Sequence, residues 1–525
     1  MTLPSLSHKN NIFAEGMESN TFPSEAFYNR LAIVCLLLAF AYSCVRAYSL
    51  SITHDEAITY LNHATGSIFK IVTYRLPIRS NNHLLNTILI KIFTSLLGVS
   101  ELVVRIPALI GLGLYLIGIY KIVSLFTTGY YLLLGVCLLT YHPFMLELFS
   151  CARGYSLGLG CSALALYYFL KGIKNPSSQD LKDNITASIL LVFSALGHLS
   201  FFNMFVSVLG VLVIAEVIRL VGRRSPHAPI YKNHAYNTIF YSVVPSSLFL
   251  LMVYTYPVIK MMRAGNEFTY GGVNGFWKDT VDSLIRVTLF REGFLNSNLI
   301  LLMKSSIIVL LLVSLAVLSY GRIVKREFTL MEKYLVSVLL VLLVCALSVI
   351  AQYHIFGIKY PFDRYALYFI PVFFLLVLLF WEIIKSAHSK WVRVPANWVL
   401  HLVAIVTLVH FISCANFTNF YQWKYDACTR SMMNSIMEME SGKNLGDNSI
   451  RLGIDWIFEP SVNFYIVKNR MRWMQKVDRD GPERQFDYYY ITSNYEGLLD
   501  KYGLKVIRTY SLSGTYLAVA SKGGR

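Results

Sequence analysis

A chain of 525 residues that is 55% hydrophobic and only 15% charged, with a mean hydropathy of +0.51, is a polytopic α-helical membrane protein by composition, not a soluble domain. Its net charge of +17 does not mark a nucleic-acid binder, because much of it lies in short loops between apolar segments, where it orients the chain and meets anionic headgroups. The eight cysteines are mostly inside apolar helices (Cys35, Cys137, Cys161, Cys345), with Cys428 alone in the polar tail, which excludes a disulfide framework and zinc-type spacing.

Residues 1–30 are polar and lead into the first apolar segment with no short apolar core and small-residue cleavage site. They read as a cytoplasmic segment before an uncleaved anchor. Candidate spans follow at about 31–50, 104–125, 130–148, 155–171, 185–200, 202–221, 237–257, 298–320, 334–355, 365–384 and 397–415, each near the roughly 20 residues that cross a bilayer. The apolar piece Leu84–Leu97 is short and carries Lys91, which suits an interfacial helix better than a span.

With that piece excluded and the N-terminus inside, four basic loops share the cytoplasmic side. They hold Lys171, Lys174 and Lys182; Arg219, Arg223, Arg224 and Lys232; Arg322, Lys325, Arg326 and Lys333; and Lys385, Lys390 and Arg393. Were Leu84–Leu97 to cross, all four would face outward, against the positive-inside rule. The fold expected is therefore about eleven transmembrane helices over 31–415, with an outer first loop at 51–103. A small extracytoplasmic α/β domain is expected over 416–525. It is built from the runs Ile450–Trp456, Tyr488–Thr492, Lys505–Tyr510 and Tyr516–Ala520 and the helical stretches Pro460–Lys468 and Glu496–Tyr502. No internal repeat stands out, which counts against an inverted-repeat transporter.

Just beyond the first span stand His54, Asp55 and Glu56, three ionisable side chains that are costly at a membrane boundary unless they have a purpose. An ordinary helix start, capped by Thr53 and with both acids in its first turn, accounts for the same residues. Other polar residues arrive on the same outer side: Asn81, Asn82 and His83; Glu147; Arg153 with Tyr155; His198; and Asp363, Arg364 and Tyr365. Singly, each has a plain explanation as a solvated loop, an interfacial histidine or a snorkelling arginine, and Arg364 could pair with Asp363. Their convergence on one face gives the set more weight than its members. The planar fork of arginine suits a phosphate, and a carboxylate beside that phosphate can act as general base toward an incoming hydroxyl. A lipid-linked phosphate presented at the bilayer surface and attacked by a polar acceptor needs those parts. Candidate substrate- or phosphate-binding residues are thus Arg153, Arg364, His54, His83, Tyr155, His198 and Tyr365.

The order of motifs is also familiar. His54-Asp55-Glu56-Ala57 follows a first helix. Asn82-His83-Leu84-Leu85 then leads to Leu97-Gly98-Val99-Ser100-Glu101 and Arg105-Ile106-Pro107-Ala108. Cys151-Ala152-Arg153-Gly154-Tyr155-Ser156-Leu157 comes next, and later Arg364-Tyr365 followed by Pro371. Over about residues 30–420 this resembles the GT-C superfamily of membrane glycosyltransferases, in its protein O-mannosyltransferase and aminoarabinose-transferase-like group (glycosyltransferase family 39-like). The resemblance implies inverting transfer of a sugar from a polyprenyl- or dolichyl-phosphate donor to an acceptor hydroxyl on the non-cytoplasmic face. Asp55 occupies the position of the group's base, and Glu56 is the adjacent acid, orienting Asp55 or the acceptor. Arg153 and Arg364 match the basic residues that hold the donor phosphate. The chain departs from many relatives in having Asn82-His83-Leu84 where they have a His-Pro-Pro-like start, and it lacks a placeable Asp or Lys near Arg153.

No cofactor is expected, the lipid-phosphate sugar being a substrate. His54, Asp55, Glu56 and His198 include types that ligate a divalent metal, but their spacing is no recognised motif, and hydrogen bonding among polar residues accounts for them. The partners expected are a polyprenyl-phosphate-linked sugar, membrane lipids and an acceptor glycan, lipid or protein. The unpaired cysteines and compact layout point to a bacterial plasma membrane, with the active site facing outward. A membrane transporter or lipid flippase would instead show polar residues at span centres and paired broken helices. A non-catalytic scaffold would tolerate loss of Asp55 and both arginines. A surface-glycan polymerase or ligase stands as an alternative within the enzyme class.

Overall fold

The computed structural model describes residues 23–77, 79–173, 178–222, 228–265, 267–268, 270–325, 328–386 and 389–520. Most of the expected N-terminal segment, up to residue 22, and the loop residues Lys174, Arg223, Arg224 and Arg326 lie outside the described residues.

Helix α1 (Glu25–Ser49) is opened by Ser24, whose side chain accepts the Phe27 N–H. Four residues after it ends, a capping box starts α2 (His54–Ile58): the Thr53 hydroxyl accepts the Glu56 N–H while the Glu56 carboxylate accepts the Thr53 N–H. A π-helical turn, Thr59–Ala64, prolongs α2. Helices α3 (Ile68–Val72) and α4 (Leu84–Leu97) complete the first loop, and Ile68, Phe69, Leu96 and Leu97 are exposed on them. Helix α5 (Glu101–Val123) follows. Pro143 disfavours helical backbone at His142, so the stretch expected as one span at 130–148 is two helices, α6 (Gly129–Thr140) and a wholly buried α7 (Pro143–Leu148).

The bundle continues with α8 (Tyr155–Gly172), α9 (Ser178–Gly197), α10 (Phe202–Gly222), α11 (Ala228–Thr238) and α12 (Val244–Ala264). Beyond it come α13 (Asp282–Leu289), α14 (Ser297–Lys325), α15 (Leu330–Phe356), α16 (Phe369–Lys385) and α17 (Lys390–Cys414). Among the described residues seven helices are long and apolar enough to cross a membrane, and the chain is a multi-pass integral membrane protein. The expected count of about eleven is not reached by that measure. Segment 130–148 is broken, α8 and α16 have only 18 and 17 residues, and α9 begins in the polar turn Ser178-Gln179-Asp180.

Bare backbone draws α5 and α8 together. A Cβ at Gly111 would collide with the Ser156–Leu157 backbone, and one at Gly160 with the Gly111 carbonyl, so small residues set the helix separation here, as they do in lipid generally. Gly154 has φ of 76° and opens α8 with its Cα against the Gly197 carbonyl and the His83 side chain.

After α17 the chain forms α18 (Thr429–Glu440), β1 (Leu452–Ile454), α19 (Glu459–Lys468), β2 (Tyr488–Thr492), α20 (Gly497–Lys501), β3 (Leu504–Tyr510) and β4 (Thr515–Ala520). The sheet runs β1-β2-β4-β3, with β1 and β2 parallel and the other pairs antiparallel. Leu452 faces Tyr488 across the first pair and Tyr490 faces Leu517 across the second. Its core of Ile454, Phe458, Val462, Phe464 and Leu517 is continuous with Ile52, Ala57 and Tyr60 of the first loop and with Ile90 and Val104.

Gly98 also has a positive φ, 78°, but open space where its Cβ would go. Gly98→Ala should therefore cost only a backbone penalty of about 1–3 kcal/mol, since its φ of 78° and ψ of −178° lie in a region that glycine alone adopts freely. Gly154→Ala adds a backbone collision and should lower the melting temperature at least twice as far in detergent; equal shifts would contradict the close approach.

Candidate active site

The site is built on one arginine. Arg105, fully buried on α5, donates from all five of its N–H positions: to the carbonyls of Ala47 and Leu50 at 3.1 and 2.8 Å, to that of Ser51 at 2.8 Å, and to the two oxygens of Glu56 at 2.8 and 2.7 Å. The end of α1 and the first turn of α2 are thereby fixed to α5. Glu56 also accepts the Ala152 N–H at 2.7 Å, which brings the loop before α8 to the same place. Glu56 is completely buried, and both its carboxylate oxygens are engaged by Arg105 and the backbone.

Asp55, one residue earlier and thus turned to another face of α2, has a side chain 19% exposed. Its Oδ2 lies 3.5 Å from Arg153 Nη2 and 3.7 Å from Arg364 Nη2. Burial pushes this carboxyl up, but Arg153, Arg364, His54 and a hydrogen bond from the Trp423 indole together hold it below the usual carboxylate range. Arg153 also donates to the Asn81 side-chain oxygen, and the Asn81 amide reaches the Asp55 carbonyl at 3.3 Å. Arg364 does not pair with its neighbour Asp363. It donates to Gln422 Oε1 at 2.6 Å and lies among the rings of Tyr270, Tyr365 and Trp423, whose centroids are 5.2, 5.5 and 4.9 Å from its guanidinium carbon.

Beside the arginines His198 is stacked against two rings, His83 and Tyr155, each with its centroid at 4.1 Å, and Tyr365 stands edge-on at 5.6 Å. Burial, then the neighbouring His198 and Arg153, hold His83 well below the ordinary imidazole range. His198 Nδ1 accepts the Ser200 N–H at 3.2 Å, so in the neutral ring Nε2 carries the proton. His198 Nε2, His83 Nε2, the Tyr155 hydroxyl, Arg153 Nε and Arg364 Nε are all buried without a hydrogen-bond partner. Buried donors normally have partners, and several orphans in one cluster mark a place built for a polar, acceptor-rich ligand.

The structure thus brings Asp55, Arg153, Arg364, His83, Tyr155, His198 and Tyr365 into one cluster. His54 is at its edge: its Nδ1 lies 2.7 Å from the Ile457 carbonyl and its N–H donates to Asp426 Oδ2 at 2.6 Å. Asp426, Gln422, Trp423 and Tyr270 had no sequence signal. Arg105 had one, since an arginine within an apolar helix demands a partner. Among the described residues no cluster of three or more His, Cys, Asp or Glu side chains is arranged to hold a metal ion.

Residues 84–249 match the family described as dolichyl-phosphate-mannose-protein mannosyltransferase, in keeping with the GT-C resemblance. No protein of curated function matches the chain. Among solved structures it is similar to ArnT from Cupriavidus metallidurans bound to undecaprenyl phosphate, at 10% identity and a TM-score of 0.48, over 96% of this chain and 100% of that one. It is also similar to the oligosaccharyltransferase AglB from Archaeoglobus fulgidus, in complex with an inhibitory peptide and a dolichol-phosphate. There the identity is 12% and the TM-score 0.44, over 94% of this chain and 75% of that one.

Asp426 supplies a stability test. Burial, reinforced by the charges of Asp55 and Glu56 and opposed by bonds from Ser461 and His54, raises its pKa to about 8. The folded state therefore holds a proton that the unfolded chain releases near pH 4, so stability falls as pH rises from about 4 to about 8. Asp426→Asn should remove that part of the slope: between about pH 5 and pH 8 the wild type should lose more melting temperature than the variant, and parallel curves would refute the assignment.

Proposed function

We propose that this protein is an inverting glycosyltransferase that moves a sugar from a polyprenyl-phosphate donor to an acceptor hydroxyl on the non-cytoplasmic side of the membrane. The observation that carries the reading is a carboxylate reachable from solvent and set between two arginines, Arg153 buried and Arg364 half-buried, each with a buried and unpartnered Nε. The family description, which names a dolichyl-phosphate sugar as donor for its members, agrees with it. In this reading 31–415 is the membrane-embedded catalytic unit and 416–525 an outer domain, and the site faces away from the four basic loops.

The acceptor oxygen attacks the anomeric carbon from the side opposite the phosphate. The new C–O bond forms as the bond to the phosphate oxygen breaks, and Asp55 takes the acceptor proton. Polyprenyl phosphate leaves with the bonding pair, its growing charge met by the forks of Arg153 and Arg364. The histidine–tyrosine stack presents neutral donors and rings suited to sugar hydroxyls and faces. The two arginines also set the timing of the base. With the site unloaded they hold Asp55 acidic; a phosphate between them draws their field away and makes Asp55 a stronger base when the donor is present.

The test uses purified protein and a membrane lipid extract containing polyprenyl-phosphate sugars, with mass spectrometry reading the release of polyprenyl phosphate. Asp55→Asn should slow release by about 100-fold or more in protein that still folds, and Arg153→Ala should abolish copurification of the lipid phosphate. Near-normal release by folded Asp55→Asn would remove it as base. Glu56→Gln should behave differently, losing several kcal/mol of stability (about 3–5 for a broken buried pair) together with activity.

A further inference from the structure

The chain between α17 and α18 is pinned across the outer ends of α1 and α7 by a second buried pair. Arg46 lies 3.5 Å from Glu147 and donates to the carbonyls of Asn416 and, at 3.2 Å, Asn419. Both Glu147 oxygens accept the Tyr421 N–H at 2.8 Å. Phe420 lies between two guanidiniums, its centroid 5.2 Å from that of Arg46 and 5.1 Å from that of Arg105. The next two side chains reach the site: Gln422 accepts from Arg364 and donates to Asp363 Oδ2 at 3.3 Å, while the Trp423 ring lies over Arg364 at 4.9 Å and its N–H favours the Asp55 anion.

Resting on the function proposed above, we infer that Gln422 and Trp423 are positioning residues of the transferase, through which the segment leading to the outer sheet holds Arg364 over the phosphate site and Asp55 toward the acceptor. Gln422 directs one edge of the Arg364 fork and leaves Nε without a partner. As a neutral acceptor it aligns the guanidinium without neutralising it, which a carboxylate at that place would do. Trp423 serves the two opposite charges at once, its ring face lying over the base and its N–H favouring the anion of the acid. The titratable and charged groups that Asp55 meets are Arg153, Arg364, His54, Cys151, Tyr155, Tyr425 and Asp426; Trp423 is the neutral donor among these neighbours.

The experiment measures release of polyprenyl phosphate against pH and lipid concentration for wild type, Trp423→Phe, Gln422→Ala and Arg430→Ala. Arg430 ties the outer unit to Glu101 at 2.7 Å away from Asp55 and reports what mere loosening does. Trp423→Phe keeps a ring over Arg364 and loses the N–H, so the acid limb of kcat/KM should move to higher pH by about 0.4–1 unit. Gln422→Ala should raise KM for the lipid donor several-fold with kcat nearly kept, and Gln422→Glu should raise it further. Arg430→Ala should lower the melting temperature with limb and KM unmoved. Trp423→Phe and Gln422→Ala with the wild-type limb and KM, or shifts that Arg430→Ala reproduces, would overturn the inference alone. A wild type that releases nothing overturns the transferase reading; Gln422→Ala then still decides the placement of Arg364, through the binding of an isolated polyprenyl phosphate, which it should weaken.

Discussion

The arrangement around Asp55 rests on an ion pair sealed from solvent behind it. Arg105 and Glu56 are fully buried and bonded through both carboxylate oxygens, and between them they gather the end of α1, the start of α2 and the loop that carries Arg153. A buried pair of this kind adds little stability over a well-packed apolar alternative, because both charges lose water. Its worth is geometric: three chain segments must meet in one arrangement or leave an uncompensated charge in the interior. The distance between Asp55 and Arg153 is therefore inherited from a contact made behind them.

Two neighbouring aspartates show how environment divides one chemistry into two states. Asp426 is buried and Asp55 half-buried, and loss of water raises both carboxyls. Asp55 has two guanidiniums within 4 Å and is held below the usual range, whereas Asp426 has only a backbone N–H and a serine hydroxyl and is pushed up to about 8. Near neutral pH one is an anion and the other largely protonated. The positive charge of the site is thus left to Asp55 and to whatever anion enters, and Asp426 hardly competes for it.

That Asp55, Arg153, His198 and Arg364 would lie near one another was legible because the basic loops assign a side to each connection, and side is a property of the chain's order. Which of these residues touch is a property of packing, which that order does not contain. Asp55 and Glu56 look alike in sequence, and only the turn of α2 sends one to the site and the other to Arg105. The stack of His83, His198 and Tyr155 joins three segments with no common pattern. His142-Pro143 did carry a break signal inside 130–148, and hydropathy averaged over it. Gln422 and Trp423 lie in a polar connection that looks like any loop, and their importance comes from Glu147 and Arg46 pinning the residues just before them.

The core shared between the outer sheet and the first loop has a consequence for how the protein comes into being. Ile52 and Ala57 share a core with Ile90 and Val104 and with side chains from residue 432 to residue 517, so synthesis passes residue 517 before the loop bearing Asp55 has all its packing partners. Until then the loop is held chiefly by Arg105, and contacts this distant in sequence form late. A chain cut short before the last strands keeps the bonds of Arg105 but lacks part of the core behind the loop that bears Asp55.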